Sequence, residues 1–253
     1  MPDEIALTQD SVTAIVGAGG KTSLMFYLAR MIPRTCLITT TTKVGSDQIQ
    51  EADARFRYLE FLMSNTPVYP KRIIWVSPDL SPTNTKISGF GLDQFSEFAA
   101  VAKKRKLPVI VEADGAHLRH MKAPALHEPV IPVETNFLLH VTGMDVLGKP
   151  ADELNVHRLP FFLDVTGLRE GDILNEESII RLLLHPEGGF KNCPSFCKKI
   201  AVLNQVDTSD LMDAAYRISE VLLKNGIDDV WMSRLFPGKD AFIRSLKKNY
   251  SEP

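Results

Sequence analysis

A junction near the start of the chain restricts its fold more than any other feature. The apolar run Val12–Val16 leads directly into Gly17-Ala18-Gly19-Gly20-Lys21-Thr22-Ser23, and Leu24, Met25, Leu28 and Met31 follow at helical spacing. Strand, glycine-rich turn and helix in immediate succession open a βαβ unit, which implies a parallel sheet. The rest of the chain keeps this alternation. Thr35–Thr39, Arg72–Val76, Pro108–Ala113, Asn136–Val141, Ile200–Asn204 and Val230–Arg234 read as further strands, several apolar throughout, as strands buried on both faces are. Lys21–Met31, Leu92–Lys104 and Asp210–Lys224 read as helices, and Gly226 stands where a helix is usually closed. The expectation is an α/β fold, a mostly parallel sheet with helices on both faces. Residues 1–253 read as a single domain, with 145–190, broken by Pro150, Pro160 and Pro186, as a small helical insertion.

Composition excludes several classes. At 44% hydrophobic and 24% charged residues the chain has the material for a packed core, so disorder is not expected. A net charge of -2 gives no electrostatic reason to expect nucleic acid or an anionic membrane as partner. Met1-Pro-Asp-Glu-Ile5 lacks the charged start and apolar core of a signal peptide, and no apolar run reaches the roughly 18–20 residues that span a bilayer. The expected location is cytoplasmic. Three cysteines make a poor disulfide framework; Cys193 and Cys197 lack the further ligands of a zinc site and, with Ser195, lack a base for nucleophilic chemistry. Lone histidines such as His117, His120, His127 and His157, the last followed by Arg158, are more often surface or structural than metal ligands.

The glycine-rich turn carries the chemistry. Glycines let consecutive amides curl around phosphate oxygens, and the helix N-terminus adds partial positive charge. Gly17, Ala18, Gly19, Gly20, Lys21, Thr22 and Ser23 are therefore the expected phosphate binders. Lys21, exposed at the loop mouth, would reach the outer phosphates, and the Thr22 hydroxyl would ligate Mg²⁺. The full pattern G-x-x-x-x-G-K-[ST] has glycine where this chain has Ile15. What remains is the shortened G-x-x-G-K-T loop, also found in Mur ligases and folylpolyglutamate synthases. The fold expectation sharpens to a P-loop NTPase-like domain binding Mg²⁺ with ATP or GTP.

Three further segments fall at strand ends, on the carboxyl edge where such sheets bind ligands. Thr39-Thr40-Thr41-Thr42-Lys43 offers Thr41 as a second hydroxyl for Mg²⁺ and Lys43 as a phosphate partner. Glu112-Ala113-Asp114-Gly115 offers two carboxylates to hold Mg²⁺ and orient a water, Glu112 ahead of Asp114. Lys21, Glu112 and Asp114 are the candidate catalytic residues, and Thr22, Thr41 and Glu112 the candidate metal ligands. Asn204-Gln205-Val206-Asp207 has the outline of a guanine-recognition turn, with Gln205 where a lysine is usual. Asn204 and Asp207 are accordingly candidate base contacts.

These runs, with Lys122-Ala-Pro124 and Glu128-Pro129, resemble the YqeC family from about residue 10 to 240. The resemblance implies an accessory role for selenium-dependent molybdenum hydroxylases, with such an enzyme or its cofactor-maturation proteins as partner. The layout is also similar to nickel-inserting accessory GTPases, but those carry the full-length loop, which Ile15 interrupts. Three functions compete: an NTPase timing a maturation step, a Mur-like ligase or kinase acting on a small acid, and a nucleotide-binding module that does not hydrolyse.

Overall fold

Residues 10–63, 72–80, 85–235 and 242–247 are described by the computed structural model; the Met1–Ile5 segment lies outside them. In chain order the elements are β1 (Val12–Gly17), α1 (Lys21–Met31), β2 (Cys36–Thr40), β3 (Val44–Gly45), β4 (Ala54–Arg57), α2 (Tyr58–Met63), β5 (Ile73–Ser77) and β6 (Lys86–Ile87). There follow α3 (Leu92–Lys104), β7 (Val109–Glu112), β8 (Met121–Lys122), β9 (Phe137–Gly143), β10 (Val156–His157), α4 (Leu159–Thr166) and α5 (Glu176–Leu184). The chain continues with β11 (Lys198–Asn204), α6 (Ser209–Lys224), β12 (Asp229–Arg234) and β13 (Phe242–Lys247).

Among the described residues, nine strands form one sheet in the order β13-β12-β11-β9-β1-β7-β2-β5-β4. Every neighbouring pair is parallel except β12–β13. The strand that feeds the glycine turn is thus central, with β9 on one side and β7 on the other. Parallel strands expose all their carboxyl ends on one edge, so Gly17, Thr40, Glu112, Gly143 and Asn204 end there together. Register fixes the details: Glu112 lies level with Ile15 on one side and Thr40 on the other.

Alternating side chains build two cores. On one face Val12, Ala14, Val16, Val109, Val111, Ala201 and Leu203 meet α2, α3, α4, α5 and α6; on the other Ile15, Ile38, Ile110, Val141 and Val202 meet α1. Burial on both faces explains why the central strands lack a polar alternation. Within the first core Phe90, Phe95 and Phe98 gather with Tyr58 and Phe61, Phe90 stacking on Phe98 at 5.0 Å. Residues 145–190 supply α4 and α5, whose Phe162, Ile179 and Leu182 enter this same core. Thr208 caps α6 by accepting from the Leu211 amide at 3.3 Å, a contact of about 1 kcal/mol. No described helix is long and apolar enough to cross a membrane.

Candidate functional site

The glycine turn is held by its own protein before any ligand is considered. Gly17 sits at φ 91°, and a Cβ there would strike the Val141 carbonyl; Gly20, at φ 124°, passes equally close to the Asn204 amide. The Gly17 amide donates to Asp114 Oδ2 (3.1 Å), the Ala18 amide to the Val141 carbonyl (2.8 Å) and the Gly19 amide to the Arg119 carbonyl (3.0 Å). These three amides are therefore taken, and Gly17 and Ala18 do not line the cleft described below, a departure from the expected cradle over the whole turn. The first helical bond of α1 is Leu24 N to Gly20 O at 2.9 Å. Among the described residues no protein acceptor takes the amides of Gly20, Lys21, Thr22 and Ser23, and all four residues line the cleft. Anion-binding capacity is concentrated at this helix end.

Ile15 shows why the turn is short. It is a fully buried strand residue of β1, so the chain leaves the sheet at Gly17 rather than two residues earlier.

Lys21 is not exposed at the loop mouth as expected: it is 5% accessible. Its Nζ donates to the Gly17 carbonyl (2.9 Å) and lies 3.1 Å from Asp114 Oδ1 and 3.5 Å from Glu112 Oε1. The cause is sheet order. With β7 beside β1, both carboxylates arrive beneath the loop, where a buried ammonium is the cheapest neighbour for them. Burial works against the charge on Lys21, but Asp114 and then Glu112 outweigh it and raise its pKa. Burial likewise holds the Glu112 carboxyl above its ordinary range, with Lys21 pulling it down and Asp114 adding to the rise. The Thr22 hydroxyl donates to Glu112 Oε2 at 3.2 Å, joining the helix end to the acid strand.

One buried cation escaped assignment from sequence. Lys122, 1% accessible, donates to the Gly115 carbonyl (2.6 Å) and reaches Asp114 Oδ2 and Glu128 Oε2, each at 3.1 Å. Glu128 Oε1 in turn meets Arg158 at 3.4 Å. The charges alternate along one chain: Lys21, Asp114, Lys122, Glu128, Arg158. The available signal was a lysine inside the apolar stretch Met121–Ala125, since lysine is almost never fully buried without a partner. Beneath the turn His140 is fully enclosed, and burial lowers its pKa to about 4, so it is neutral at pH 7.

Around these residues opens a cleft of about 990 Å³. Thr41, Thr42, Lys43, Glu112, Gly115, His117, His157 and Arg158 line it together with the Gly20–Ser23 helix end. The threonine hydroxyl protons are directed at backbone carbonyls: Thr39 to Val76 (2.6 Å), Thr40 to Glu112 (2.8 Å) and Thr41 to Val130 (2.7 Å). Of these three only Thr41 lines the cleft, and its oxygen keeps lone pairs for a cation, whereas Thr40 already accepts from the Thr42 amide at 3.0 Å. The donor set around Thr22 suits Mg²⁺, because one hydroxyl and one carboxylate leave the other octahedral positions to phosphate oxygens and water. No group of three or more His, Cys, Asp or Glu side chains among the described residues is placed to hold a metal ion by itself.

The structure does not bring the fourth motif to this cleft. Asn204 is fully buried; its amide donates to the Gly19 carbonyl (2.7 Å), and its oxygen accepts from Ser233 Oγ and the Leu235 amide, each at 2.9 Å. Asp207 is 41% accessible at its side chain and 3.9 Å from Arg234. Neither lines the cleft. His120 lies between the two regions, its Nδ1 2.6 Å from Asp145 Oδ1 and 3.1 Å from Gln205 Oε1.

Fold and site together define an α/β protein of P-loop NTPase-like architecture, with a shortened glycine turn and an acid strand beside it. The chain belongs to the YqeC family: the family model described as "YqeC protein" matches residues 13–160. It is also 30% identical over 230 residues to the Escherichia coli (strain K12) protein named "Uncharacterized protein YqeC", covering 90% of this chain and 88% of that one.

Proposed function

We propose that this protein binds a Mg²⁺–nucleoside triphosphate, with the phosphates at the amides of Gly20–Ser23, and hydrolyses it. One observation carries the reading: four unpaired helix-end amides share a wall with the Thr22–Glu112 pair inside one cleft. Lys21, held beneath the turn by Asp114 and Glu112, supplies positive charge beside the phosphates. Thr22 and Glu112, with Thr41 in the same cleft, are the residues to hold Mg²⁺, and Lys43 lines that cleft as a further phosphate partner. Bound Mg²⁺ would neutralise charge building up on the phosphate oxygens. Asp114, gripped by Lys21, Lys122 and the Gly17 amide, fixes the turn, which leaves Glu112 to orient a water. The nucleotide base stays unassigned, because Asn204 and Asp207 lie away from the cleft. As the physiological role we propose nucleotide-dependent assistance in maturing a selenium-dependent molybdenum hydroxylase, on the family resemblance alone.

The binding reading is tested by titrating fluorescent ATP and GTP analogues with Mg²⁺ and again with EDTA, followed by a phosphate-release assay. Saturable, Mg²⁺-dependent binding supports it; equal or no binding in both conditions refutes it. The role is tested by deleting the gene in a host that has such a hydroxylase. Full hydroxylase activity with a normally loaded cofactor would exclude the role and leave nucleotide binding standing.

A further inference from the structure

The cleft has a second polar wall that nucleotide binding does not explain. Pairing of β10 with β8 sets His157 level with Lys122, and the His117 ring stacks on His157 with centroids 4.7 Å apart and planes 19° from parallel. Arg158 follows at once. Its guanidinium meets Glu128 at 3.4 Å, and its buried Nε has no hydrogen-bond partner. That Nε–H is out of a ligand's reach, but the side chain is 37% exposed and its terminal nitrogens carry the remaining N–H donors in the planar fork that suits carboxylates and phosphates.

The backbone at this wall is held in an uncommon form. His117, Leu118 and Arg158 all lie in the left-handed region, at φ 47°, 60° and 63°, and none is glycine. Such residues persist where the surroundings fix them, often at ligand sites. All three line the same cleft. The surroundings of the stacked pair are cationic. Burial, with Lys122, His117 and Arg158 acting in the same direction and Glu128 against them, lowers the His157 pKa to about 4. His157 is therefore a neutral donor and acceptor in a positive field.

We infer that His117, His157 and Arg158 form a second ligand site, in the cleft of the phosphate loop, for the carboxylate or phosphate of a small acceptor molecule distinct from the nucleotide. The inference rests on the nucleotide reading above and deepens it. A small acid bound beside the triphosphate would compete with water for the terminal phosphoryl group: its oxygen forms the new bond to phosphorus as the bond to the diphosphate breaks, so the same cleft would serve transfer as well as hydrolysis. The alternating chain from Lys21 to Arg158 joins the two ligand positions, so loading one alters the field at the other.

The test uses the full chain saturated with Mg²⁺ and a non-hydrolysable triphosphate analogue. Inorganic phosphate, and separately succinate, is titrated in while the imidazole C–H resonances are followed by proton NMR. Saturable shifts in His117 and His157 are expected. Arg158→Gln should weaken anion binding at least tenfold and analogue binding less than twofold; His117→Gln, a second variant at the same wall, should weaken the anion several-fold. Three results would overturn the site: no saturable anion binding in the parent, anion binding unchanged in Arg158→Gln, or anion and analogue affinities falling together. Failure of the analogue to bind would count against the nucleotide reading instead, and the anion titration would still decide the second site.

Discussion

Two corners of the same sheet edge carry sequences that look like nucleotide motifs, and the structure treats them differently. At the β1–β7 corner, Lys21, Glu112 and Asp114 are buried against one another, and Lys21 and Glu112 line an open cleft. At the β11–β12 corner, Asn204 satisfies both ends of its amide on the protein, while Asp207 stands in solvent. The first corner keeps charge and hydrogen-bonding capacity for a ligand; the second has used its capacity to tie β11 to the turn and to β12. Spacing of polar residues locates strand ends. Whether such a residue binds a ligand depends on what its atoms already hold.

Substitutions should separate the corners, and the largest effect is expected at Lys21. Lys21→Ala leaves Glu112 and Asp114 buried without their ammonium, a loss of about 3–5 kcal/mol by urea unfolding, together with loss of triphosphate binding. A stable variant that binds as the parent does would remove Lys21 from the site. Asn204→Ala is expected to cost about 1–3 kcal/mol, since the Gly19 carbonyl and Leu235 amide lose their partner. It should not alter preference between ATP and GTP; an altered preference would restore the second corner as a base reader.

Acidification acts on the first corner. His140 and His157 have pKa values lowered to about 4, so the unfolded chain takes up protons first and stability falls as pH drops from 6.5 towards 4. Glu128 continues the trend: burial raises its pKa, but Lys122, the Ala125 amide and Arg158 together outweigh it and lower it to about 2, so its stabilising charge is lost as pH falls from 4.5 towards 2. Flat stability between pH 6.5 and 4 would contradict neutral histidines at these two positions. Glu112→Gln replaces a carboxyl whose pKa burial already raises, so stability should change by about 1 kcal/mol or less while Mg²⁺-dependent turnover falls tenfold or more. Unchanged turnover would move the role elsewhere. Asp207→Asn should have the smallest effect, within about 0.5 kcal/mol, with no gain of xanthosine triphosphate binding.

Much of the architecture was legible because the central strands are buried on both faces and read as apolar blocks; seven such blocks became sheet strands, with ends displaced by a residue or two. Edge strands were not legible. Ala54–Arg57 is four residues of Ala-Arg-Phe-Arg, too short to establish a period. Pro160 was read as a breaker, yet it occupies the first turn of α4, where the missing amide proton costs nothing. At the site, residue types were legible and their state was not. The burial of Lys21 follows from β7 lying beside β1, and the pairing of Lys122 with Asp114 and Glu128 depends on how the loops between them fold, which no periodicity shows.

The central claim, a triphosphate site at the Gly20–Ser23 helix end, is tested most directly by thermal shift. Parent protein and Lys21→Ala are melted with ATP, GTP, CTP and their diphosphates, each with Mg²⁺ in excess. Ligand at about 100 times its Kd adds about 2.7 kcal/mol to the folded state. The expected result is a concentration-dependent rise in Tm with at least one triphosphate for the parent, and none for Lys21→Ala. A folded parent whose Tm is unmoved by every triphosphate, or a variant that rises as the parent does, would contradict it.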